Sequence, residues 1–505
     1  MINIPKLNKI DFLVLIIVIT IGLVNLPVPF WGDQALFTVG ALEMHQGKLL
    51  YRDFWDIKQP GIYYFYLLAG TLFGFNEIGI HLFELIYMVF FSIILLLTLK
   101  SYFQHQVIAS LVPLFTVGVY YIVSGAHHFT QVEALVGFPL FICLWLTYQS
   151  FKYEGKQKFI RLLFSGFIGG IVLIFKLLFL PILISFWIVP LFYAVLKSRK
   201  SFSQVLLEVF CPIFIGTLFP VAFIISYFAW SNVLAITYQT FLVYPPKIAT
   251  NASLDMLQLF SGTRWFIQNF LPLIALATVA IDVSLRKSKN LMTLLLFVWC
   301  LFGLSVIYIQ LQSLWEYHYL LLFVPVGILA AKGLDILWQP LKELSSTLTT
   351  IVLIFLLVFP LLFSLQFKTL ALVKNKFALT EDRRINYQNV FRKDYSSLNS
   401  NVKFLSESGS LSGDIFVAGD PSIYYLSGRN QATSLNAWSL ELFLPEQWSQ
   451  LQKELVSIKP PYIFITNEYK SLVKQKSPQI MELINNKYKL LSKSNKGIWY
   501  ILTIK

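Results

Sequence analysis

The chain is short of charge: Asp, Glu, Lys and Arg make up 13% of its 505 residues, against 56% hydrophobic, where a soluble globular chain carries roughly a quarter charged. A water-soluble fold for the whole chain is excluded. Cysteine is scarce as well. Cys143, Cys211 and Cys300 lie in or beside apolar runs, with no CxxC pair and no zinc spacing, and they leave the redox compartment open. There is no Walker loop and no GxGxxG, so nucleotide binding has no support. No internal repeat is evident. The first apolar run, about 12–28, lacks a small-residue cleavage site before Pro27-Val28-Pro29-Phe30-Trp31 and is read as a retained helix rather than a signal peptide.

What the chain has is apolar length. Runs of about the ~20 residues that cross a hydrocarbon core recur as far as Phe367, after which the composition turns mixed and polar. The length rule predicts spans near 11–28, 80–99, 105–123, 133–150, 162–180, 181–196, 206–229, 266–284, 291–310, 319–338 and 346–367, about eleven helices. The net charge of +14 is grouped in short loops rather than along one face, which is the positive-inside pattern and not a nucleic-acid surface. With Lys6 and Lys9 inside, the inner loops hold Lys100, then Lys152, Lys156, Lys158 and Arg161, then Lys197, Arg199 and Lys200, then Arg286, Lys287 and Lys289, then Lys332 and Lys342. The outer loops hold only Lys48, Arg52, Lys58, Lys247 and Arg264. The expected fold is therefore a polytopic α-helical protein of the cell (cytoplasmic) membrane, N-terminus cytoplasmic, with an extracytoplasmic C-terminal α/β domain. Its expected division is 1–367, including an outer loop 29–79, and 368–505.

Outside the spans, 62–75 is apolar and aromatic but too short to cross, and is expected to be a helix lying at the membrane interface with Tyr63, Tyr64 and Tyr66 among the headgroups. The segment 232–265, with Tyr244-Pro245-Pro246-Lys247, is expected as a second long outer loop. After Lys374, β-type runs at 414–418, 462–465 and 497–501 alternate with helical patterns at 446–456 and 478–485, the spacing of a small α/β domain.

The first outer loop is the most informative stretch: Trp31-Gly32-Asp33-Gln34, then Glu43 to Lys48, Arg52, Asp53, Asp56 and Lys58-Gln59-Pro60-Gly61. Apolar positions at 36, 37, 39, 41, 42 and 44 with Gly47 behind them predict an amphipathic helix over 34–46 beside the membrane. Two readings of Asp33 stand: an N-cap, or a catalytic carboxylate on the outer surface. Glu133 has the same pair of readings, because Thr130-Gln131-Val132-Glu133 ahead of an apolar run has the form of a capping box. Lys176 sits in the apolar run 171–180 with no acidic neighbour in sequence; it either serves a ligand at membrane depth or snorkels to the interface. His127-His128, His45 and His318 have no recognised metal-ligand spacing, and side chains at 127 and 128 diverge on any regular element. A divalent metal stays open as a cofactor, beside a structural role for these histidines.

Gly32-Asp33-Gln34, the Glu-Met-x-x-Gly helix end at 43–47 and Lys58-Gln59-Pro60 together resemble the first outer loop of the GT-C superfamily. They are most similar to the family 39 group of protein O-mannosyltransferases and lipid A aminoarabinose transferases. Tyr317-His318-Tyr319-Leu320-Leu321 running to Pro325 resembles the segment that opens a late helix in those proteins. Where that group has Asp-Glu and Lys-Pro-Pro, this chain has Asp33-Gln34 and Lys58-Gln59-Pro60, which leaves Asp33 as the sole acid of the pair and the acceptor class open.

The resemblance implies an inverting hexosyl- or pentosyltransferase. A polyprenyl-phosphate sugar arrives from the bilayer, an acceptor hydroxyl of a lipid, glycan or protein attacks the anomeric carbon, and the lipid phosphate leaves. Asp33 is then the expected base, and Lys58, Arg52, Lys176 and Arg264 are the cations expected at the donor phosphate. Glu133, His318 and Tyr319 are further candidates for the site. Each exposed cation could equally anchor lipid headgroups. The alternative function is a lipid or sugar transporter with an accessory outer domain, which should show polar residues at the midplane and paired broken helices. A third reading is a non-catalytic scaffold for the C-terminal domain, in which Asp33 is dispensable. Hydrolysis of a lipid phosphate stays open too, although no two-metal cluster is visible in the sequence.

Overall fold

The structure, a computed structural model, describes residues 6–192, 195, 201–251, 256–288, 290–310, 314–343 and 363–503. It is a polytopic helical membrane protein with a small mixed α/β region at its C-terminal end. Among the described residues, eight helices are long and apolar enough to cross a membrane: Glu77–Tyr102, Gln106–Val123, Val132–Ser150, Gly155–Phe175, Ser203–Trp230, Met256–Lys287, Leu291–Ile309 and Glu316–Trp338. Two shorter apolar helices, Lys9–Leu23 and Leu177–Phe192, lie where spans were expected at 11–28 and 181–196. Most of the span expected at 346–367, residues 346–362, lies outside the described residues.

Local chemistry accounts for the breaks. Asn8 caps the first helix, accepting from the backbone of Ile10 and Asp11 while Asp11 reaches back to the Asn8 amide, a reciprocal capping box. Pro113 lacks the N–H that would continue the ladder, and the backbone widens into a π-turn over Leu114–Gly118 before resuming at Val119. The run read as one span over 162–180 instead ends at Phe175: Lys176 takes an extended backbone and a 3-10 turn, Leu177–Phe179, follows.

By contacts the chain divides into two compact units, Met1–Leu26, His81–Ile224 and Leu254–Lys374 on the one hand, and Pro27–Ile80, Ile225–Ser253 and Asn375–Lys505 on the other. The first is called the span unit below and the second, after the loop that the sequence is expected to place outside, the outer-loop unit. Compactness thus groups residues otherwise than linear order does, gathering segment 27–80 with the C-terminal region.

Within the outer-loop unit three expectations are corrected. The helix Asp33–His45 is not a surface amphipath, since Gln34 through Ala41 and Glu43 are all buried; Pro60–Phe73 and Ser422–Ser427 pack on it. Pro60–Phe73 forms the helix expected there, with proline at its start and Gly74 (φ +98°) at its end, and what differs is the setting of its tyrosines. Its Tyr63 and Tyr66 are buried rather than spread at headgroups, and Tyr63 donates its hydroxyl proton to Asp56 at 2.7 Å. The stretch expected as a long loop over 232–265 is largely helical, through Leu234–Tyr238, a π-turn Gln239–Val243 and Tyr244–Asn251.

The C-terminal sheet has four strands, β1 (Phe416–Ala418), β2 (Tyr462–Thr466), β3 (Tyr488–Lys493) and β4 (Gly497–Leu502), in the order β1-β2-β4-β3. β1 runs parallel to β2, and β4 is antiparallel to both β2 and β3. The strands expected from apolar runs form, as do the helices Pro445–Ile458 and Pro478–Lys487. β3 had no such signal: it is an edge strand exposed from its second residue onward, so nothing demands an apolar face there.

Candidate functional site

Asp33 and Lys58 come together in the outer-loop unit. Gly32, not Asp33, is the N-cap of the helix Asp33–His45, and no side chain caps that end, so the capping reading of Asp33 falls. Gly32 has φ +45° and ψ −103°, a conformation open to glycine and costly to residues bearing a Cβ. It turns Asp33 so that its Oδ1 lies 3.0 Å from Lys58 Nζ and 3.0 Å from the indole Nε1 of Trp438. The Lys58 ammonium also lies 5.3 Å from the Phe37 ring centroid. The backbone carbonyl of Lys58 accepts from the Tyr51 hydroxyl at 2.9 Å, which fixes the chain where the lysine leaves it.

Glu133, Lys176 and His318 come together in the span unit. The expected capping box is not formed: Thr130 donates its hydroxyl to Glu84 at 2.7 Å, and the helix Val132–Leu135 has Gln131 at its N-cap with no side-chain cap. Glu133 instead accepts from Lys176 Nζ at 2.7 Å. The lysine that has no acid near it in sequence therefore has one in space, supplied by a residue 43 positions earlier. Gln310 accepts from the same ammonium at 2.5 Å. The Nδ1 of His318 accepts the Trp315 backbone N–H at 3.0 Å, so the neutral ring carries its proton on Nε2, 3.7 Å from Glu133.

Arg52 is exposed and gives both Nε and Nη2 to its neighbour Asp53, each at 2.8 Å, and Asp53 in turn accepts the Leu49 amide. Arg264 is exposed and lies within the helix Met256–Val283 rather than in a loop, because that helix begins ten residues before the span expected at 266–284. Tyr319 pairs its hydroxyl with Thr263 at 2.6 Å and stacks on Phe266.

His127 and His128 do not diverge, because they sit on an irregular turn rather than a regular element; their ring centroids are 3.9 Å apart. With Glu316 they form a group whose ligand atoms lie within 4.8 Å of one another. As a donor set for a divalent metal it does not fit. The Gly125 N–H donates to His128 Nδ1 at 2.8 Å, so the neutral ring bears its proton on Nε2, the atom that faces Glu316 at 3.7 Å. A metal needs a lone pair there. Burial keeps this imidazole neutral, pushing its pKa well down, with His127 and Lys368 adding to the effect.

Trp438, Gln310 and Glu316 were not singled out from the sequence. Glu316 adjoins the Tyr317-His318 motif and was within reach of that reading; Trp438, 405 positions from Asp33, offered no local signal.

No family model and no curated protein matches the sequence. Among solved structures the chain superposes on crystal structures of ArnT from Cupriavidus metallidurans. For the apo state the TM-score is 0.59 at 9% identity, and for the form bound to undecaprenyl phosphate 0.60 at 11%, each match covering 97% of both chains. At these identities the likeness is one of fold alone.

Proposed function

We propose that this protein is an inverting membrane glycosyltransferase that moves a sugar from a polyprenyl-phosphate donor to an acceptor hydroxyl on the outer face of the membrane. The observation that carries the reading is the Asp33–Lys58 pair at 3.0 Å, a base and a cation brought together outside the spanning helices. The fold is consistent with it, since one of the similar ArnT structures holds undecaprenyl phosphate.

The chemistry follows from what each group can do. At rest Lys58 neutralises Asp33. An arriving lipid phosphate competes for the ammonium, and the flexible lysine stem lets Nζ follow the stronger anion. That exchange leaves Asp33 able to accept the proton of the acceptor hydroxyl as its oxygen attacks the anomeric carbon. The bond to the phosphate oxygen breaks on the opposite face, which inverts the centre, and the charge growing on the phosphate is held by the cation. In the span unit, Lys176 with the Nε2–H of His318 offers a further cation and donor for a lipid phosphate.

The test is Asp33→Asn. It should fold and insert as the unmodified chain does while transfer from a radiolabelled undecaprenyl-phosphate sugar falls by about 10²–10⁴-fold, the usual contribution of a general base. Full turnover by that variant would remove Asp33 from the mechanism.

A further inference from the structure

One short segment of the C-terminal region, 431–438, is bonded along the first outer loop. The Gln431 amide donates to Glu43 at 2.9 Å, and Lys48 bridges Glu43 and the Gln431 carbonyl at 3.2 and 3.5 Å. The Trp55 amide donates to the Ser434 carbonyl at 2.7 Å, and the Asn436 side chain donates back to the Trp55 carbonyl at 2.5 Å. Asn436 also accepts the backbone N–H of Trp438 at 3.2 Å. The segment is thus sewn to the loop at three of its residues, Gln431, Ser434 and Asn436, before it presents its last side chain. That side chain, the Trp438 indole, donates to Asp33 Oδ1. Its ring also fills the space beside Gly32, where an added Cβ would come within 2.8 Å of it.

We propose that Trp438 is a positioning residue for Asp33, by which the C-terminal region completes the transfer centre. The inference rests on the reading of Asp33 as the base. Lys58 and Trp438 meet the same oxygen, but they differ in what a donor phosphate does to them. The ammonium is drawn to a phosphate; the indole N–H, on a two-torsion side chain packed beside Gly32, stays. Trp438 therefore keeps the carboxylate aimed while Lys58 changes partner, and the gain appears in the chemical step rather than in donor binding.

The experiment uses the full chain in nanodiscs, with radiolabelled undecaprenyl-phosphate sugars as donors, native membranes as the source of acceptor, and undecaprenyl phosphate alone as the binding probe. Trp438→Phe keeps an aromatic ring and loses the N–H. It should lower kcat by about tenfold or more while the donor KM and the Kd for undecaprenyl phosphate stay within about twofold, as expected for an interaction used only after binding. Trp438→His restores an N–H at the same place in a five-membered ring, because His Nε2 superposes on Trp Nε1, and should recover most of that loss. Wild-type kcat in Trp438→Phe overturns the proposal. So does a Trp438→His variant as slow as Trp438→Phe, or a rise in KM that accounts for the whole effect, since each assigns the indole to packing alone. If the unmodified chain neither transfers sugar nor binds undecaprenyl phosphate, the reading of Asp33 fails instead, and the two failures are told apart.

Discussion

Replacing Lys176 separates holding the fold from holding a phosphate. Its ammonium lies 2.7 Å from Glu133, and the two side chains are 22% and 2% exposed. Lys176→Met leaves a buried carboxylate whose neighbour His318 Nε2, at 3.7 Å, is beyond hydrogen-bond reach. Removing one member of a buried pair costs roughly 3–5 kcal/mol, and the lysine's partial exposure places this case near ~3 kcal/mol. With unfolding entropy near 2.1 cal/mol/K per residue, a chain of 505 residues loses about 3 °C in its midpoint. Lys176→Met with Glu133→Gln removes both charges and should return the midpoint to within about 1 °C of the starting value, since apolar replacement of a whole buried pair is commonly neutral. Binding should not return with it. A charged hydrogen bond to phosphate contributes roughly 1.5–3 kcal/mol, so both variants should bind undecaprenyl phosphate about 10- to 150-fold more weakly. The measurements are scanning fluorimetry and titration with undecaprenyl phosphate in detergent. A double variant that is stable and binds normally assigns Lys176 to the fold alone; one as unstable as the single variant refutes the buried-pair argument.

Two further expectations test the outer-loop unit. Gly32→Ala forces a Cβ onto a backbone with φ +45° and into the Trp438 ring; it should cost about 1–3 kcal/mol and lower sugar transfer, and an unchanged midpoint with unchanged transfer would contradict the geometry. Asp394 is the second. Burial alone would raise its pKa, but Arg392, which also holds Asp420 and the Phe30 carbonyl, and Lys496 bring it below the ordinary 3.8. A depressed folded-state pKa gives stability that is present at neutral pH and lost as pH falls through and below 3.8. Asp394→Asn should therefore have a lower midpoint at pH 7 and a shallower fall between pH 5 and pH 3, followed by tryptophan fluorescence; parallel curves for the two proteins would remove the pair from the unit's acid response.

The spans were legible because a membrane imposes length and apolarity on each of them, and the hydropathy pattern alone located the helices from Glu77–Tyr102 to Glu316–Trp338. Where the sequence misled, a long-range partner had overridden a local rule. Asp33 and Glu133 stand at positions that suit helix caps, yet their partners are Lys58, Trp438 and Lys176. Lys176 looked isolated because its acid lies on another helix. His127 and His128 looked divergent because adjacent residues part on helices and strands but not on a turn. Pattern and capping rules concern neighbours within a few positions, whereas these pairings join residues tens to hundreds of positions apart.

The burial of the helix Asp33–His45 explains why the C-terminal region and the first outer loop form one unit. An amphipathic helix resting on lipid keeps its polar face in water, but here Gln34, Thr38 and Glu43 are all buried, and each buried polar group needs a partner. Gln34 accepts the Trp31 amide and Thr38 donates to the Gln34 carbonyl, both within the loop. Glu43 draws on both parts of the chain: burial pushes its pKa up, opposed by Lys48 in the loop and by the Gln431 amide of the C-terminal region. The C-terminal segment that supplies that amide is the one that ends in Trp438. A loop with these polar groups facing inward takes the C-terminal region as cover, so removing residues 375–505 should unfold the loop, seen as faster proteolysis of segment 27–80, and the placement of the Asp33 carboxylate is a product of both parts of the chain.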